Sequence, residues 1–327
     1  MAQADQMVDE GRPVEAVDLL IEAWQTAPDP TIEIRIRDLR RDAAKVLETS
    51  SGRSSWPPTY VDPFPDLVEE IPEIRLEQLS ADTVGGAVIH HGVIIVRGLF
   101  DVTQAAETLS TLQRTQREQR SENPDPRWYS PYDSGVAQDS SLRNRVSRRG
   151  GTWLADSPRA TAEIMNRLSD VGVIDVVAEH LGERPAFSLQ KSTLRRVEPT
   201  PKITGWHQDG SFLESDVRTM NVWVALSSCG GTNPSSGMEI LPRRMTEILE
   251  VDPELGRASV SFDLIDKIVG GSPTAQPAFE PGDALMFDER LLHRTALDPG
   301  LTEDRYALEC WFFAPSHTTS TYLPFLT

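Results

Sequence analysis

Apolar positions recur at helical spacing through the first half of the chain and in short bursts through the second. Over residues 1–49, Ala16, Val17, Leu19, Leu20, Ala23 and Trp24 form a single stripe, the pattern of a helix that buries one face. Pro28 and Pro30 interrupt it, and a charged helical stretch runs from Ile32 to Leu47. Such a hairpin either packs on a larger domain or offers its face to a partner, such as a carrier protein presenting a substrate. Residues 50–65 (SSGRSSWPPTYVDPFP) carry turn and polyproline chemistry and read as a linker. The expected organisation is a helical extension over 1–49, the linker over 50–65, and a main domain over 66–327 whose N-terminal part is helical.

Within that domain Ser80 can cap a helix that runs to about His91, with Asp82 in its first turn and Gly92 past its end. Val93–Val96 is a short buried strand. Val102–Gln119 is helical, with Ala105, Ala106, Leu109 and Leu112 on one face, and Ala160–Leu181 is helical again. Between them Ser121–Gly151 shows no clear period, and connections of that length tend to be lids or binding loops. From Ala186 the texture changes to strands: Phe187–Val197, Met220–Leu226, Met238–Leu241, Ala258–Phe262, Ala284–Phe287 and Tyr306–Phe313. Short strands at this spacing point to a sandwich or barrel rather than a parallel sheet. The predicted class is mainly β with flanking helices.

Charge and cysteine content narrow the function. With 50 acidic and 32 basic side chains the net charge is −18, which repels nucleic acid and anionic membranes at a distance. The two cysteines, Cys229 and Cys310, form neither a disulfide framework nor a CxxC pair, as expected in a reducing compartment. An uninterrupted apolar run of about 18 residues is absent, and the acidic N-terminus is unlike a signal peptide. A soluble cytoplasmic protein is expected. The acidity is uneven, however: residues 186–229 carry a net +1 and residues 120–150 a net +2. An anionic small-molecule ligand is compatible with those segments.

The chemistry concentrates in Gly205-Trp206-His207-Gln208-Asp209-Gly210. On an extended strand, positions i and i+2 share a face, so His207 and Asp209 point together. Alone, this pair reads first as an ordinary polar strand end and only second as a metal site. A second histidine would complete two-His-one-carboxylate ligation, which leaves one face of an octahedral Fe(II) open. His293 is the best candidate, 86 residues further on and just beyond the turn and apolar strand Pro281-Gly282-Asp283-Ala284-Leu285-Met286-Phe287. Arg305 then opens a strongly apolar strand, where an inward guanidinium needs an anion, such as the far carboxylate of a metal-chelating dicarboxylate.

With these residues in order, the chain resembles the phytanoyl-CoA dioxygenase family of Fe(II)/2-oxoglutarate-dependent oxygenases. The resemblance covers about residues 80–315. Its carriers are Trp206 to Gly210, Asn221-Val222-Trp223-Val224-Ala225-Leu226, Gly237-Met238-Glu239-Ile240-Leu241-Pro242, and Pro281-Gly282-Asp283 through His293-Arg294-Thr295 to Arg305. It implies a double-stranded β-helix, a cupin-like jelly roll. It implies further that His207, Asp209 and His293 hold Fe(II), and that Arg305 and Thr295 bind the distal carboxylate of 2-oxoglutarate. Gln190 matches a position that contacts the co-substrate, and Trp223 either lines the pocket or is plain core. O2 is the oxidant, and the implied reaction hydroxylates a C–H bond of a small molecule with release of succinate and CO2. Desaturation or ring formation would use the same residues, and a non-catalytic metal-binding jelly roll is the rival reading. Retention of Asp209 argues against halogenation, which needs that position vacated for chloride. The chain departs from the family after Pro242, where Arg243-Arg244-Met245 replaces the usual Gly-Ser-His turn. Arg143, Arg145, Arg148 and Arg149 in the long loop read either as an anion-recognition cluster or as a solvated basic patch. Trp128, Tyr129 and Tyr132 read as a substrate wall or as loop packing.

Overall fold

The computed structural model describes residues 1–47, 53–135, 139–199, 205–213, 216–255, 259–270, 273–296, 298–319 and 322–327. Three helices open the chain: α1 (Ala2–Asp9), α2 (Pro13–Thr26) and α3 (Pro30–Leu47). Pro13 and Pro30 are the first residues of their helices, where a missing N–H is harmless. The expected hairpin is α2 with α3. The last two residues of the expected extension and the first three of the linker lie outside the described residues. After β1 (Glu73–Arg75) come α4 (Ala81–His91), β2 (Val93–Arg97) and α5 (Val102–Gln119). Ser80 caps α4 by accepting from the Thr83 N–H at 3.1 Å, in line with the sequence reading.

The long stretch before residue 151 contains a helix, α6 (Asp139–Arg148), followed by β3 (Gly151–Trp153). Its sequence supplies only Leu142 and Val146 as an apolar pair, too little for a visible period. The helix expected over Ala160–Leu181 is two helices, α7 (Pro158–Asp170) and α8 (Val173–Leu181). Gly172, in the left-handed region at φ 79, separates them. The single strand expected over Phe187–Val197 is also divided, into β4 (Ala186–Ser188) and β5 (Thr193–Val197).

The remaining elements are β6 (Thr219–Ala225), β7 (Met238–Ile240), α9 (Phe262–Val269), β8 (Ala284–Phe287), β9 (His293–Thr295), β10 (Arg305–Phe313) and β11 (Pro324–Leu326). Of the strand expected over Ala258–Phe262, Ala258 lies outside the described residues, and Ser261 instead caps α9 by accepting from Leu264 N–H at 3.3 Å. The expectation of a mainly β protein needs correcting. Among the described residues, helix outweighs strand by more than two to one. The strands are short, many of three residues, and irregular segments join them.

Two compact units emerge, and they do not follow chain order. Unit 1 comprises Met1–Ser54, Glu107–Arg195 and Glu309–Thr327. In it α2 and α3 pack together, and α3 also packs on α7 and β11. Their core joins Ala16, Val17, Leu20, Trp24, Ile36 and Leu39 to Ala162 and Leu326. The fully buried Arg40 of α3 donates to the Leu326 carbonyl.

Unit 2 comprises Ser55–Ala106 and Arg196–Leu308. Its larger sheet runs β1-β2-β8-β6, with β1 parallel to β2 and the remaining pairs antiparallel. A second sheet pairs β7 with β9. Val93, Ile95, Trp223, Ala225, Leu285 and Phe287 from the first meet Met238 and Ile240 from the second in one buried cluster. Gly282, at φ 98, turns the chain into β8 where a Cβ would collide with the Phe100 carbonyl oxygen, so no other residue fits without a shift. Among the described residues no helix is long and apolar enough to cross a membrane.

Candidate active site

The two histidines meet through the backbone before their side chains matter. His207 and His293 form an antiparallel bridge, each N–H donating to the other's carbonyl at 3.0 Å. Directly opposed residues project to the same face, and the imidazole centroids stand 4.4 Å apart, tilted by 47°. Each ring is also tied back to its own chain. His207 Nδ1 lies 3.2 Å from the Gly205 carbonyl and His293 Nδ1 3.0 Å from the Leu291 carbonyl. A carbonyl accepts only from an N–H, so each ring donates from Nδ1, the tautomer that neutral metal-binding histidines adopt.

Asp209 enters from the start of a 3-10 turn over Asp209–Phe212. Its Oδ1 stands 3.8 Å from His207 Nε2, and its Oδ2 accepts from Asn221 Nδ2 at 2.7 Å. One ligand atom from each of His207, Asp209 and His293 lies within 4.8 Å of the other two. Asp209 and His293 are buried and His207 half-buried. Two imidazoles and one carboxylate this close together suit a divalent ion such as Fe(II), and three protein ligands would leave its remaining positions to exchangeable ones. The residues present therefore fit the metal that the sequence reading requires.

The residues around the motif hold this geometry from behind. Between the two residues of the HxD pair, the buried Gln208 points away. It donates to the Glu247 and Arg290 carbonyls at 3.0 and 2.8 Å and accepts from Leu249 N–H at 2.7 Å. Next to His293, Arg294 projects to the opposite face of β9, pairs with Glu239 at 2.6 Å and stacks over the Trp206 ring. Trp206 in turn precedes His207, so the neighbours of both histidines grip each other. Further along the sheet, Thr219 donates to Glu289 at 2.8 Å. Burial, with Asp288 adjacent, pushes the Glu289 carboxyl up to about 7.

Arg305 is 4% exposed. Its Nη1 donates to the Gly237 carbonyl at 3.0 Å, and its guanidinium carbon lies 5.6 Å from the Trp223 ring centroid. Thr295 stands two residues after His293 on the same face of β9, opposite Met238. Trp223 belongs to the buried cluster of unit 2. His207, Asp209, His293, Thr295 and Arg305 are thus all in unit 2, whereas Gln190 belongs to unit 1, where its Oε1 accepts from Leu323 N–H at 2.8 Å.

The other sequence candidates divide between inward and exposed positions. Arg143 turns inward to the fully buried Asp156, with its Nε at 2.6 Å, while Arg145, Arg148 and Arg149 are exposed. Tyr132 packs edge-on against Phe325, and Trp128 lies under Arg114. Asn221 and Gln208 lie within the quoted motifs, but their hydrogen bonds to Asp209 and to the Glu247 and Arg290 carbonyls appear only in the fold. For Asn221 a signal existed: it is an amide on the strand face shared by Trp223 and Ala225, where alternation calls for an apolar residue.

Comparison with known proteins completes the picture. Comparison with curated protein sequences gives no match. EctD from S. alaskensis, solved with 2-oxoglutarate and 5-hydroxyectoine, is 16% identical over 74% of this chain and 80% of its own, with a TM-score of 0.53. SnoK, a non-heme alpha-ketoglutarate-dependent carbocyclase from nogalamycin biosynthesis, is 13% identical over 73% of this chain and 85% of its own, with a TM-score of 0.48. AviO1 from Streptomyces viridochromogenes Tue57 is 14% identical over 70% and 93%, with a TM-score of 0.44. At these identities, the likeness to EctD speaks for the fold alone. The sequence profile of the phytanoyl-CoA dioxygenase family matches residues 89–297, well over half the chain and inclusive of His207, Asp209 and His293. The chain belongs to the phytanoyl-CoA dioxygenase family and is an Fe(II)/2-oxoglutarate-dependent oxygenase.

Proposed function

We propose that this oxygenase hydroxylates an unactivated C–H bond of a small molecule, and that His207, Asp209 and His293 are its iron ligands. The observation that carries the assignment is their convergence, with both Nδ1 atoms committed to backbone carbonyls and one ligand atom of each residue within 4.8 Å of the others. When bound, Fe(II) with 2-oxoglutarate and O2 supplies the oxidant: one oxygen atom goes to succinate as CO2 leaves, the other to the substrate as an alcohol.

The chain's own contribution is orientation. The backbone bridge holds the two imidazoles side by side, and Asp209 closes one side of the site, leaving the other for co-substrate and oxidant. Arg305 receives the distal carboxylate of 2-oxoglutarate, and the Thr295 hydroxyl donates to the same group. The burial of Arg305 beside Trp223 supports this, since a buried guanidinium gains most from a bidentate anion. Gln190 is kept as a co-substrate contact on the family resemblance alone. The retained Asp209 carboxylate favours hydroxylation over halide transfer. The two facing sheets of unit 2 and the likeness to EctD support a double-stranded β-helix as the catalytic scaffold. Two free, buried cysteines suit work in the reducing cytoplasm.

The test is anaerobic addition of Fe(II) and 2-oxoglutarate to metal-free protein, followed by visible spectroscopy. A weak charge-transfer band of chelated 2-oxoglutarate is expected, and it disappears in His207→Ala. No band in the native protein, or an undiminished band in the variant, refutes the assignment.

A further inference from the structure

Thr219, Asn221, Trp223 and Ala225 alternate onto one face of β6, and Trp223 and Ala225 of that face join the apolar cluster with Leu285 and Phe287. Asn221 is 2% exposed. A primary amide in such surroundings is costly unless its donors and acceptor are matched. Its Nδ2 bonds Asp209, but its Oδ1 has no hydrogen-bond partner among the described residues. Packing alone would be served as well by a leucine of similar size, so the amide is not explained by the core it sits in.

Its direction supplies the reason. The amide takes one carboxylate oxygen of Asp209, Oδ2, while the other, Oδ1, faces His207 Nε2 at 3.8 Å. A carboxylate held through one oxygen turns the other toward a metal, which favours a single coordination position over two. A neutral amide achieves this without a cation that would compete with the metal for the carboxylate. We propose that Asn221 is a positioning residue: it fixes Asp209 as a single-oxygen ligand and thereby sets the metal affinity of the site. The inference rests on the assignment of His207, Asp209 and His293 as ligands. Partners that orient metal ligands are worth about 10–100-fold in affinity.

The experiment is titration of the metal-free full chain with Co(II), read by its visible ligand-field bands. Wild type is compared with Asn221→Leu, Asp209→Ala and the double variant. Asn221→Leu is expected to weaken Co(II) binding about 10–100-fold. In the Asp209→Ala background the same leucine should change affinity by less than about twofold, because the carboxylate it disturbs is gone. Asn221→Ala, which cannot overpack the strand, should repeat the result if leucine perturbs folding. Affinity of the Asn221 variants within about twofold of wild type overturns the inference, and so does an equal loss in both backgrounds, which marks a general packing role. Wild type that takes up no Co(II), or uptake unchanged in His207→Ala, refutes the ligand assignment itself and the inference with it.

Discussion

Replacing Glu33 by alanine removes one carboxylate that four donor atoms share. Trp24 Nε1 lies at 3.0 Å from it, Arg127 Nε and Nη2 at 2.8 and 3.1 Å, and Arg159 Nη1 at 2.7 Å. The Glu33 side chain is fully buried, whereas those of Arg127 and Arg159 are 30% and 20% exposed. Breaking a buried ion pair from one side costs about 3–5 kcal/mol, because the partner charge stays behind uncompensated. Here both arginines reach water in part, and Arg159 keeps Glu163 as a partner, so the lower end applies, about 3 kcal/mol. Glu33→Gln keeps the shape and one carbonyl acceptor and should lose about half as much. Urea unfolding of the full chain, followed by far-UV circular dichroism, reads both. With a slope of about 2 kcal/mol per molar urea, alanine should lower the midpoint by about 1.5 M. A lowering below about 0.3 M, or equal effects of alanine and glutamine, would refute the reasoning. Either outcome would mean that α3 packs within unit 1 without being electrostatically locked to Arg127 and Arg159.

Three further outcomes are expected. Arg305→Ala should raise the KM for 2-oxoglutarate about 30-fold or more, the loss expected when a buried, hydrogen-bonded charge pair is cut; uncoupled decarboxylation of 2-oxoglutarate measures it, and an unchanged KM contradicts the assigned role. The Glu289 carboxyl, pushed up to about 7 from 4.5, binds its proton more tightly in the folded state, so its stabilisation is complete below about pH 4.5 and is lost as pH rises through 7. Glu289→Gln should therefore be more stable than wild type at pH 8, by on the order of 3 kcal/mol, with a much smaller gap at pH 5, as paired denaturant titrations will show. Gln208→Leu strands the Glu247 and Arg290 carbonyls and the Leu249 N–H; it should cost about 3 kcal/mol and lower Co(II) affinity as well, and a variant as stable as wild type would contradict this account.

Local chemistry was legible wherever the deciding partner lies a few residues away. Ser80 and Gly92 bound α4 as expected because a cap is made within one turn. The helices α2 and α5 announce themselves by period. Elements set by distant partners were not legible. The helix α6 carries too few apolar residues for a period, and it is anchored through Arg143 to Asp156. The sequence Ser259-Val260-Ser261-Phe262 alternates like a strand, but Ser261 caps α9, and Val260 is occupied by Trp206 through a backbone bond.

By its order and spacing, the chain alone determined which residues could serve as ligands: His207 with Asp209 two positions on, then His293 and Arg305. Side-chain chemistry is a property of residue type, and the i, i+2 relation is a property of extended backbone, so both survive in a one-dimensional reading. Tertiary structure decided the rest. It bridged His207 to His293 across 86 residues, chose the lone pair that each imidazole presents, and turned Asn221 toward Asp209. It also buried Arg305 against Trp223 while sending Arg143, Arg195 and Arg196 to carboxylates at Asp156, Glu309 and Asp304. Strand pairing and side-chain direction depend on which segments meet, and that information resides in the packing of the whole unit.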